Sequence, residues 1–359
     1  MNQRQCLGPI AVANPQHHLP IARSMEIADL LTPAEVSRKT LARLHDRVGV
    51  EQRNCAILEA DGSIPLYGIG SPGEPSHPRV PGTSERMQAY DRHARELAIA
   101  AAGDAIASAG LAADSITHLV TASCTGFAAP GVDLAIIEAL DLPRTTQRTH
   151  VGFMGCHAAV NALTVASSLA ASQPDHRVLV VCVEVSSIHF HDDTRLDRLI
   201  SNTLFADGAA ATVVTNDPGG IELATTASVV LPKTADAMGW QIGDHGFEMT
   251  LGAEVPEAIG AAIPSWVDAT LADHGLTRTD VGGWAIHPGG PKVIDAVADC
   301  LDLPEGADHP SRAILREHGN MSSATLLHIL RRLQIHDVPR PWVGLAFGPG
   351  LAGELLLLR

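Results

Sequence analysis

A cysteine, a histidine and an asparagine, far apart in the chain, each occur where a side chain could do chemistry. Cys156 follows Gly155 and comes just before a helix-compatible run, residues 158–171. A helix N-terminus carries unpaired N–H groups and partial positive charge, which favour a thiolate over a thiol. Cys156 is therefore a candidate nucleophile, although a lone cysteine is also typical of a small buried apolar residue.

The histidine that best fits a catalytic role is His287. It comes directly after a predicted strand, residues 284–286, and before Pro288-Gly289-Gly290, so we expect it to face a cleft at the strand end. His157 follows the cysteine directly, and adjacent helical residues point in different directions. We therefore take His287, and not His157, as the partner of Cys156.

Asn320 lies in a loop of small residues, Gly319-Asn320-Met321-Ser322-Ser323, that leads into a helix. It is compatible with a helix N-cap or with a neutral donor to a developing oxyanion, beside the Nε2–H of His287. A Cys/His/Asn set suits thioester chemistry without water. The thiolate accepts an acyl group, and the two donors stabilise an enolate formed by decarboxylation.

The elements that must bring these residues together occur twice along the chain. Residues 110–143 and 275–304 each run from Gly-Leu and an aspartate through an apolar strand and a loop to a helix ending in Leu-Asp-Leu-Pro. Helices headed by residues 154–156 and 321–323 follow, and then come the apolar strands 178–183 and 342–347. The alternation predicts an α/β fold. Four matches in one order favour duplication, with loops of both halves around one cleft.

Two regions lie outside this repeat. A helix is predicted to start at Thr32-Pro33-Ala34-Glu35 and to lead into a basic stretch that ends near residue 54. Residues 61–82 are rich in proline and glycine, which predicts an irregular excursion.

Composition excludes several classes of protein. The chain is 45% hydrophobic and 18% charged, as in well-buried globular enzymes, and its net charge of −15 argues against nucleic-acid binding. Six scattered cysteines indicate neither a zinc site nor a disulfide framework. The N-terminus lacks the apolar core of a signal peptide, and the apolar runs are too short to span a bilayer. We expect a cytoplasmic enzyme with no metal and no membrane span.

The chain resembles the type III polyketide synthases, the chalcone and stilbene synthase group of the thiolase superfamily. The resemblance covers nearly the whole chain. It is carried by Gly155-Cys156, residues 204–210, His287-Pro288-Gly289-Gly290 and Gly319-Asn320-Met321-Ser322-Ser323. The related ketoacyl-carrier-protein synthases share the Cys/His/Asn set but not the surroundings of the histidine and the asparagine.

This resemblance implies a thiolase-like α/β fold with a duplicated, five-layered αβαβα architecture. Residues 1–220 would form the half with the cysteine, and residues 221–359 the half with the histidine and asparagine. Cys156 would carry the acyl chain, while His287 and Asn320 promote malonyl decarboxylation and hold the thioester carbonyls. The substrates would be an acyl-CoA starter and malonyl-CoA, without a cofactor, and the enzyme would be a homodimer.

The resemblance also assigns residues around the cavity. Phe205 matches a gatekeeper aromatic, although core packing explains a phenylalanine there equally well, and the second gatekeeper position holds Met249. Two positions that are threonine in plant enzymes hold Cys124 and His189. Cys124 is either a lining residue of the pocket or a second reactive thiol. A small pocket residue is replaced by Trp240, and the methionine that crosses the dimer interface by Ala129. Positions of plant-like type are Ser186 and Ser322.

Arg43 and Arg47 match positions that contact CoA phosphates, and Lys39 is offset by one from a third. Lys292 lies at a predicted helix start, where an anion can also bind. Arginines suit phosphate recognition, but two of them one helical turn apart are also typical of a solvated face.

The residues at these cavity positions are closer to the pattern of the bacterial family members than to that of the plant enzymes. Bacterial members often make alkylpyrones or alkylresorcinols. The cavity residues predict a fatty acyl-CoA starter, several extensions by decarboxylative Claisen condensation, and cyclisation to a pyrone, a resorcinol or a related product. Two alternatives remain open. One is a single-round ketoacyl synthase III-like or thiolase-type acyltransferase. The other is a non-catalytic acyl- or CoA-binding relative, which would be expected to lack part of the Cys/His/Asn set.

Overall fold

The computed structural model describes residues 4–359. Residues 1–3, the start of the segment interpreted above as lacking a signal peptide, lie outside the described residues. The α-helices of the described chain are α1 (Ile21–Leu31), α2 (Arg38–Val48), α3 (Thr83–Ser108), α4 (Val132–Ala139), α5 (Ala158–Ser172), α6 (Leu196–Leu204), α7 (Val255–Asp273), α8 (Pro291–Cys300), α9 (His309–His318) and α10 (Ser323–Ile335).

The strands in the same part of the chain are β1 (Cys6–Leu7), β2 (Ala11–Ala13), β3 (His18–Pro20), β4 (Gln52–Asn54), β5 (His118–Ser123), β6 (Gln147–Gly152), β7 (Val178–Val185), β8 (Asp207–Thr215), β9 (Ile221–Val230), β10 (Met238–Gly243), β11 (Gly246–Leu251), β12 (Gly283–Ile286), β13 (Trp342–Gly348) and β14 (Ala352–Leu358). Two antiparallel pairs stand apart from the main sheet, β3 with β4 and β10 with β11.

The other strands form one sheet in the order β12-β13-β14-β9-β1-β8-β7-β5-β6, with β2 beside β8. The short strand β1 joins a C-terminal part, which begins at β9, to an N-terminal part. Helix α3 covers the outer face of the N-terminal part, α5 and α10 lie between the two parts, and α7 and α8 cover the outer face of the C-terminal part. This is the five-layered αβαβα order that was predicted.

The two halves repeat the same local topology, as the sequence indicates. In one half β5 and β7 are parallel and β8 returns antiparallel to β7; in the other, β12, β13 and β14 have the same relationship. The helices α5 and α10 occupy equivalent positions before β7 and β13. Loops that follow equivalent strands therefore meet at one place in the molecule.

The packing of the core on both faces of the sheet explains why its central strands are continuous runs of apolar residues. In β14, Leu356 and Leu358 pack in the central helical layer, while Leu355 and Leu357 pack against the outer one. Neighbouring side chains of a strand point to opposite faces, so a strand buried on both faces must be apolar throughout. The central helix α5 is rich in fully buried alanines, which lets both parts of the sheet approach it closely.

The predicted helix start at Thr32 is wrong. Helix α1 ends at Leu31, and residues 33–36 form a single turn, closed by a hydrogen bond from the N–H of Val36 to the carbonyl of Pro33 (3.0 Å), that does not continue as a helix. Helix α2 begins at Arg38, where the side chain of Ser37 accepts a hydrogen bond from the N–H of Thr40. Among residues 4–359, no helix has the length and apolar character needed to cross a membrane.

Candidate active site

Cys156 sits in a single 3₁₀ turn, Gly155–His157, that leads directly into α5. Gly155 has φ +68°, and a Cβ there would lie 2.6 Å from Cδ of Pro349. Only glycine combines that backbone angle with such a close approach. The turn therefore places the thiol at the head of the central helix, against the loop that follows β13.

The thiol is buried, and the structure does not give it the thiolate character expected at a helix N-terminus. Burial raises the pKa of Cys156 to about 12, and the carboxylate of Glu184 acts in the same direction. Ser322, whose Oγ lies 3.5 Å from Sγ, lowers the pKa, and so does the nearby amide of Asn320. Desolvation of the charged form outweighs both.

His287 follows β12 and is held by a hydrogen bond from its backbone N–H to the carbonyl of Leu345 (2.8 Å). Its side chain is buried, and neither ring nitrogen has a hydrogen-bond partner among residues 4–359. Burial lowers its pKa to about 3, so the ring is neutral near pH 7. By contrast, Nδ1 of His157 contacts Oδ1 of Asn161 at 2.7 Å.

The backbone of Asn320 is held by hydrogen bonds to the two residues that flank Phe205. Its N–H donates to the carbonyl of Leu204 (2.9 Å), and its carbonyl accepts from the N–H of Ala206 (2.8 Å). The side-chain Oδ1 accepts from the N–H of Ser322 (2.8 Å), but Nδ2 has no hydrogen-bond partner within the described chain. Ser322, and not Asn320, is the N-cap of α10. The amide N–H groups are therefore free to meet a ligand.

Cys156, His287 and Asn320 meet in one cavity, as the sequence predicts. This catalytic compartment has a volume of about 300 Å³ and is lined by Cys156, Phe205, Met238, Met249, His287, Gly289, Val293, Asn320 and Phe347. A thiol and unpartnered N–H donors thus share one mainly apolar space. Buried polar groups without partners are rare, and here they are what an oxygen-bearing substrate would satisfy.

Two further compartments adjoin the first. The central compartment, about 390 Å³, is lined by Cys124, Thr125, Gly155, Cys156, Ser186, Phe205, Met238, Gly239, Trp240, Met249, Ser322 and Pro349. The side compartment, about 320 Å³, is lined by Ser186, His189, Phe190, His191, Arg198, Ser201, Asn202, Phe205, Trp240, Phe247 and Met249. Phe205 and Met249 line all three compartments.

Trp240 lies between the central and side compartments. Its Nε1 donates to the carbonyl of Cys124 (2.8 Å), and its ring packs edge-on against His189 and Phe247. His189 is neutral, with its pKa lowered to about 3 by burial, and both of its ring nitrogens contact the protein backbone. Trp240 therefore closes space in the cavity, whereas Ala129 lies exposed and outside all three compartments.

Glu184 is a site residue that the sequence reasoning missed. Its buried carboxylate accepts hydrogen bonds from Ser323 (2.5 Å) and Thr125 (2.7 Å), and burial raises its pKa. It also lies 3.5 Å from Sγ of Cys124, which is 3.3 Å from Oγ of Ser322. Polar contacts thus run from Glu184 to the Cys156 thiol. The signal in the sequence is one carboxylate in an otherwise apolar strand.

The chain matches family models along most of its length. The model for "Chalcone and stilbene synthases, N-terminal domain" covers residues 76–218, and the one for the C-terminal domain covers residues 222–359. The chain belongs to the chalcone and stilbene synthase family.

Relatives and solved structures extend this assignment. The 1,3,6,8-tetrahydroxynaphthalene synthase of Streptomyces peucetius subsp. caesius is 34% identical over 343 residues, 93% of this chain and 87% of that protein. The alpha-pyrone synthesis polyketide synthase-like Pks18 of Mycobacterium tuberculosis is 31% identical over 334 residues, 89% and 82% of the two chains. PKS-I from the brown alga Ectocarpus siliculosus superposes with a TM-score of 0.92 at 29% identity, covering 100% and 99%. The protein is a type III polyketide synthase with the thiolase fold.

The basic residues predicted to bind CoA all lie on the surface of the synthase. Arg43 and Arg47 are exposed on α2, and Lys292 is exposed in the first turn of α8. None of the three has an ion-pair partner in the described part of the chain. Lys39 is exposed on α2 as well. Unpaired cations at these places leave their charge available to a phosphate.

The reactivity of Cys156 should depend steeply on pH. Because only the thiolate attacks electrophiles and the pKa of the buried thiol is about 12, we expect alkylation by iodoacetamide to accelerate about tenfold per pH unit between about pH 7 and 9. His287, with its pKa near 3, contributes no titration there. Mass spectrometry of the peptide that contains Cys156 measures the rate.

N-acetylcysteine serves as the control thiol in a series extended to about pH 10, because its rate levels off above its ordinary pKa while that of Cys156 keeps rising. A rate at Cys156 that stays flat with pH would contradict the expectation. It would show instead that a Cys156 thiolate forms an ion pair with a protonated His287.

Proposed function

We propose that Cys156 accepts an acyl starter from acyl-CoA and extends it with malonyl-CoA by decarboxylative Claisen condensation. The product is then cyclised to a pyrone, a resorcinol or a related ring. The observation that carries this proposal is the pair of buried, unpartnered side chains, His287 and Asn320, in the compartment that also contains the thiol. The enzyme would thus be an acyltransferase that uses CoA thioesters and no metal or cofactor.

The steps follow from what each group can do. Sγ of Cys156 attacks the starter thioester, the carbon–sulfur bond to CoA breaks, and CoA leaves with the proton of the thiol. Malonyl-CoA then loses its carboxyl group as CO₂, and the electron pair of the broken bond remains as an enolate. N–H groups of His287 and Asn320 bind the enolate oxygen. The enolate carbon attacks the acyl-cysteine carbonyl, which forms the new carbon–carbon bond and releases Sγ.

Neutral donors suit this intermediate better than charged acids. A neutral imidazole N–H and an amide N–H stabilise the enolate without transferring a proton to its carbon. The buried surroundings strengthen both hydrogen bonds, because no water competes for the enolate oxygen. The low pKa of His287 keeps its ring neutral throughout the physiological range.

The CoA thioesters would bind along α2, with phosphates at Arg43, Arg47 and Lys292. Helix α2 packs on α6 through Leu41, Leu44 and Leu199, and α6 ends directly before Phe205. Phe205 and Met249 would then separate the CoA arm from the acyl chain, with Cys124, Ser186, His189 and Ser322 shaping the space beyond.

A fatty acyl-CoA is the proposed starter. The lining of the central compartment is mainly apolar and includes the flexible side chains of Met238 and Met249, while Trp240 limits its extent on the side of His189. A straight alkyl chain suits such a space, because it leaves no polar group without a hydrogen bond.

The test is a panel of starter CoA esters with labelled malonyl-CoA, read by mass spectrometry. We expect fatty acyl starters to give cyclised products that contain two or more labelled units. Turnover of only aromatic or acetyl-sized starters would contradict the starter assignment. One condensation without cyclisation would contradict the polyketide assignment and favour the single-round acyltransferase.

We further propose a homodimer formed through the β6 edge. Strand β6 is the outermost strand of the sheet and is largely exposed. The loops that follow β5 and β6 expose Phe127 (64%), Phe153 (52%) and Met154 (38%). An open strand edge beside exposed apolar side chains is a surface that a second copy can cover.

Light scattering should therefore give twice the chain mass of 37.7 kDa, and Phe127→Asp should shift the protein toward the monomer. Ile242→Asp is the matched control, because Ile242 is also 64% exposed but lies on the β10–β11 hairpin. A monomeric parent, or a Phe127→Asp variant that keeps the double mass, would refute this interface.

Two coarser assignments accompany the proposal. We divide the chain into two halves, residues 1–220 and 221–359, because β9, the first strand of the C-terminal part of the sheet, begins at Ile221. Limited proteolysis near residue 220 would test this division.

We assign the enzyme to the cytoplasm, since its six cysteines are all free thiols, as a reducing compartment favours. Cell fractionation would test this location.

A further inference from the structure

A single buried amide touches both flanks of the loop that carries Asn320. Asn54, the last residue of β4, is 1% exposed. Its Oδ1 accepts from Nδ1 of His318 (3.3 Å), and its Nδ2 lies 3.4 Å from Sδ of Met321. His318 ends α9, two residues before Asn320, and Met321 comes directly after it. Asn54 therefore bridges the two ends of the loop.

The same amide is itself anchored on several elements. Its Nδ2 donates to Oδ1 of Asn14 (2.8 Å), and its Oδ1 also accepts from Nδ1 of His18 (3.0 Å). Asn14 in turn contacts Nε2 of His328 (3.1 Å), whose Nδ1 donates to the carbonyl of Ala324 (3.0 Å) in the first turn of α10. The network thus connects β3, β4, α9 and α10 beneath the loop.

The loop has a backbone that needs such outside support. Gly319 has φ +80°, and Ser322 has φ +45°, an angle that is unfavourable for a residue with a side chain. The Asn320 side chain is oriented by a hydrogen bond from the N–H of Ser322, the strained residue. A small rotation at Gly319 or Ser322 would turn the Asn320 amide away from the catalytic compartment.

We propose that Asn54 is a positioning residue for the condensation, acting through Asn320. By fixing His318 and Met321, it holds the loop in the geometry that directs Nδ2 of Asn320 into the compartment. The proposal rests on the donor role of Asn320 proposed above. Asn54 itself does not line the compartment and makes no contact with the thiol or with His287.

The test is Asn54→Leu, which keeps the size of the side chain and removes its hydrogen bonds. We expect the kcat of malonyl-CoA decarboxylation, normalised to the amount of Cys156 that can be acylated, to fall about tenfold. KM for malonyl-CoA should stay within about twofold, because the loop does not hold the CoA arm. This normalisation is needed because a variant that only destabilises the fold has fewer Cys156 sites that can be acylated. The decarboxylation rate at each remaining site would be unchanged.

Asn216→Leu is the matched control. Asn216 also has a hydrogen-bonded amide, which donates to the carbonyl of Ala170 (2.7 Å), but it lies just beyond the end of β8 that is remote from the site. We expect this variant to decarboxylate malonyl-CoA at the parent rate. His318→Phe is the second variant, which keeps a ring and loses one tether; it should lower the rate per site by about threefold.

A double-mutant cycle identifies the route of the effect. If Asn54 acts through Asn320, then Asn54→Leu adds no further loss in an Asn320→Ala background. A full additional loss there would overturn the proposal, and so would parent-like rates in both Asn54→Leu and His318→Phe. If Asn320→Ala alone decarboxylates normally, the proposed function fails, which is a distinct result.

Discussion

Replacing Cys156 with alanine is expected to abolish acyl-enzyme formation. Alanine removes the only atom in the catalytic compartment that can form a thioester with the starter, while its smaller side chain keeps the turn at Gly155 intact. Intact-protein mass spectrometry after incubation with a fatty acyl-CoA should show one acyl adduct on the parent and none on the variant. Polyketide formation should fall by at least about four orders of magnitude.

Cys124→Ala is the matched control. Cys124 is also a buried thiol that contacts Ser322, and burial together with Glu184 holds its pKa well above the usual range. We expect it to line the pocket and its variant to load normally. An adduct that persists in Cys156→Ala, or one that is lost only in Cys124→Ala, would place the acyl chain on a different thiol.

Asn320→Asp is expected to have the second largest effect. The substitution keeps the shape of the side chain but exchanges an N–H donor for a carboxyl oxygen. A carboxylate there repels the enolate and is poorly solvated, so we expect malonyl-CoA decarboxylation to fall by about 10²–10³-fold. Release of labelled CO₂ from malonyl-CoA measures it, with starter loading recorded on the same samples.

Asn216→Asp makes the same chemical change far from the site and should leave the rate within about twofold of the parent, since nothing there touches substrate. A normal decarboxylation rate in Asn320→Asp would remove the amide from the proposed mechanism. The enolate would then depend on His287 alone.

Several features of the fold follow from the sequence because they rest on local patterns. The repeated strands are continuous apolar runs, such as residues 178–183, which a strand buried on both faces requires. The repeat orders these strands alike in both halves, and the parallel pairs β5–β7 and β12–β13 follow that order. The gathering of Cys156, His287 and Asn320 in one compartment could be predicted for the same reason, since each comes directly after or before a repeated element.

The electrostatics of the site could not be predicted in this way. The helix N-terminus next to Cys156 suggests a lowered pKa, but the structure buries the thiol, and desolvation raises the pKa to about 12. Burial depends on side chains from both halves of the chain, among them Phe205 and Met249. A local pattern such as Gly155-Cys156 does not carry that information.

Polar contacts between residues far apart in the chain could not be predicted from the sequence either. Glu184 bonds directly to Ser323, which is 139 positions away in the chain, and Asn54 to His318, which is 264 positions away. Glu184 is the one carboxylate of β7, and Asn54 is one of three polar residues in β4, so spacing along the chain shows no pattern for either. The helix start predicted at Thr32 is wrong for a different reason: Thr-Pro-Ala-Glu has the residue types of a helix start, but Ser37 further along the chain caps α2 instead.

The hydrogen bonds that fix Asn320 to Leu204 and Ala206 join main-chain atoms only. They hold whatever side chain position 205 carries. An exchange of the aromatic ring at 205 would therefore leave the Asn320 amide in place, so the substrate range proposed to depend on Phe205 would change without loss of the proposed decarboxylation. Under the proposed mechanism, substrate selectivity and turnover would thus be separable by mutation at position 205, which makes it a starting point for engineering.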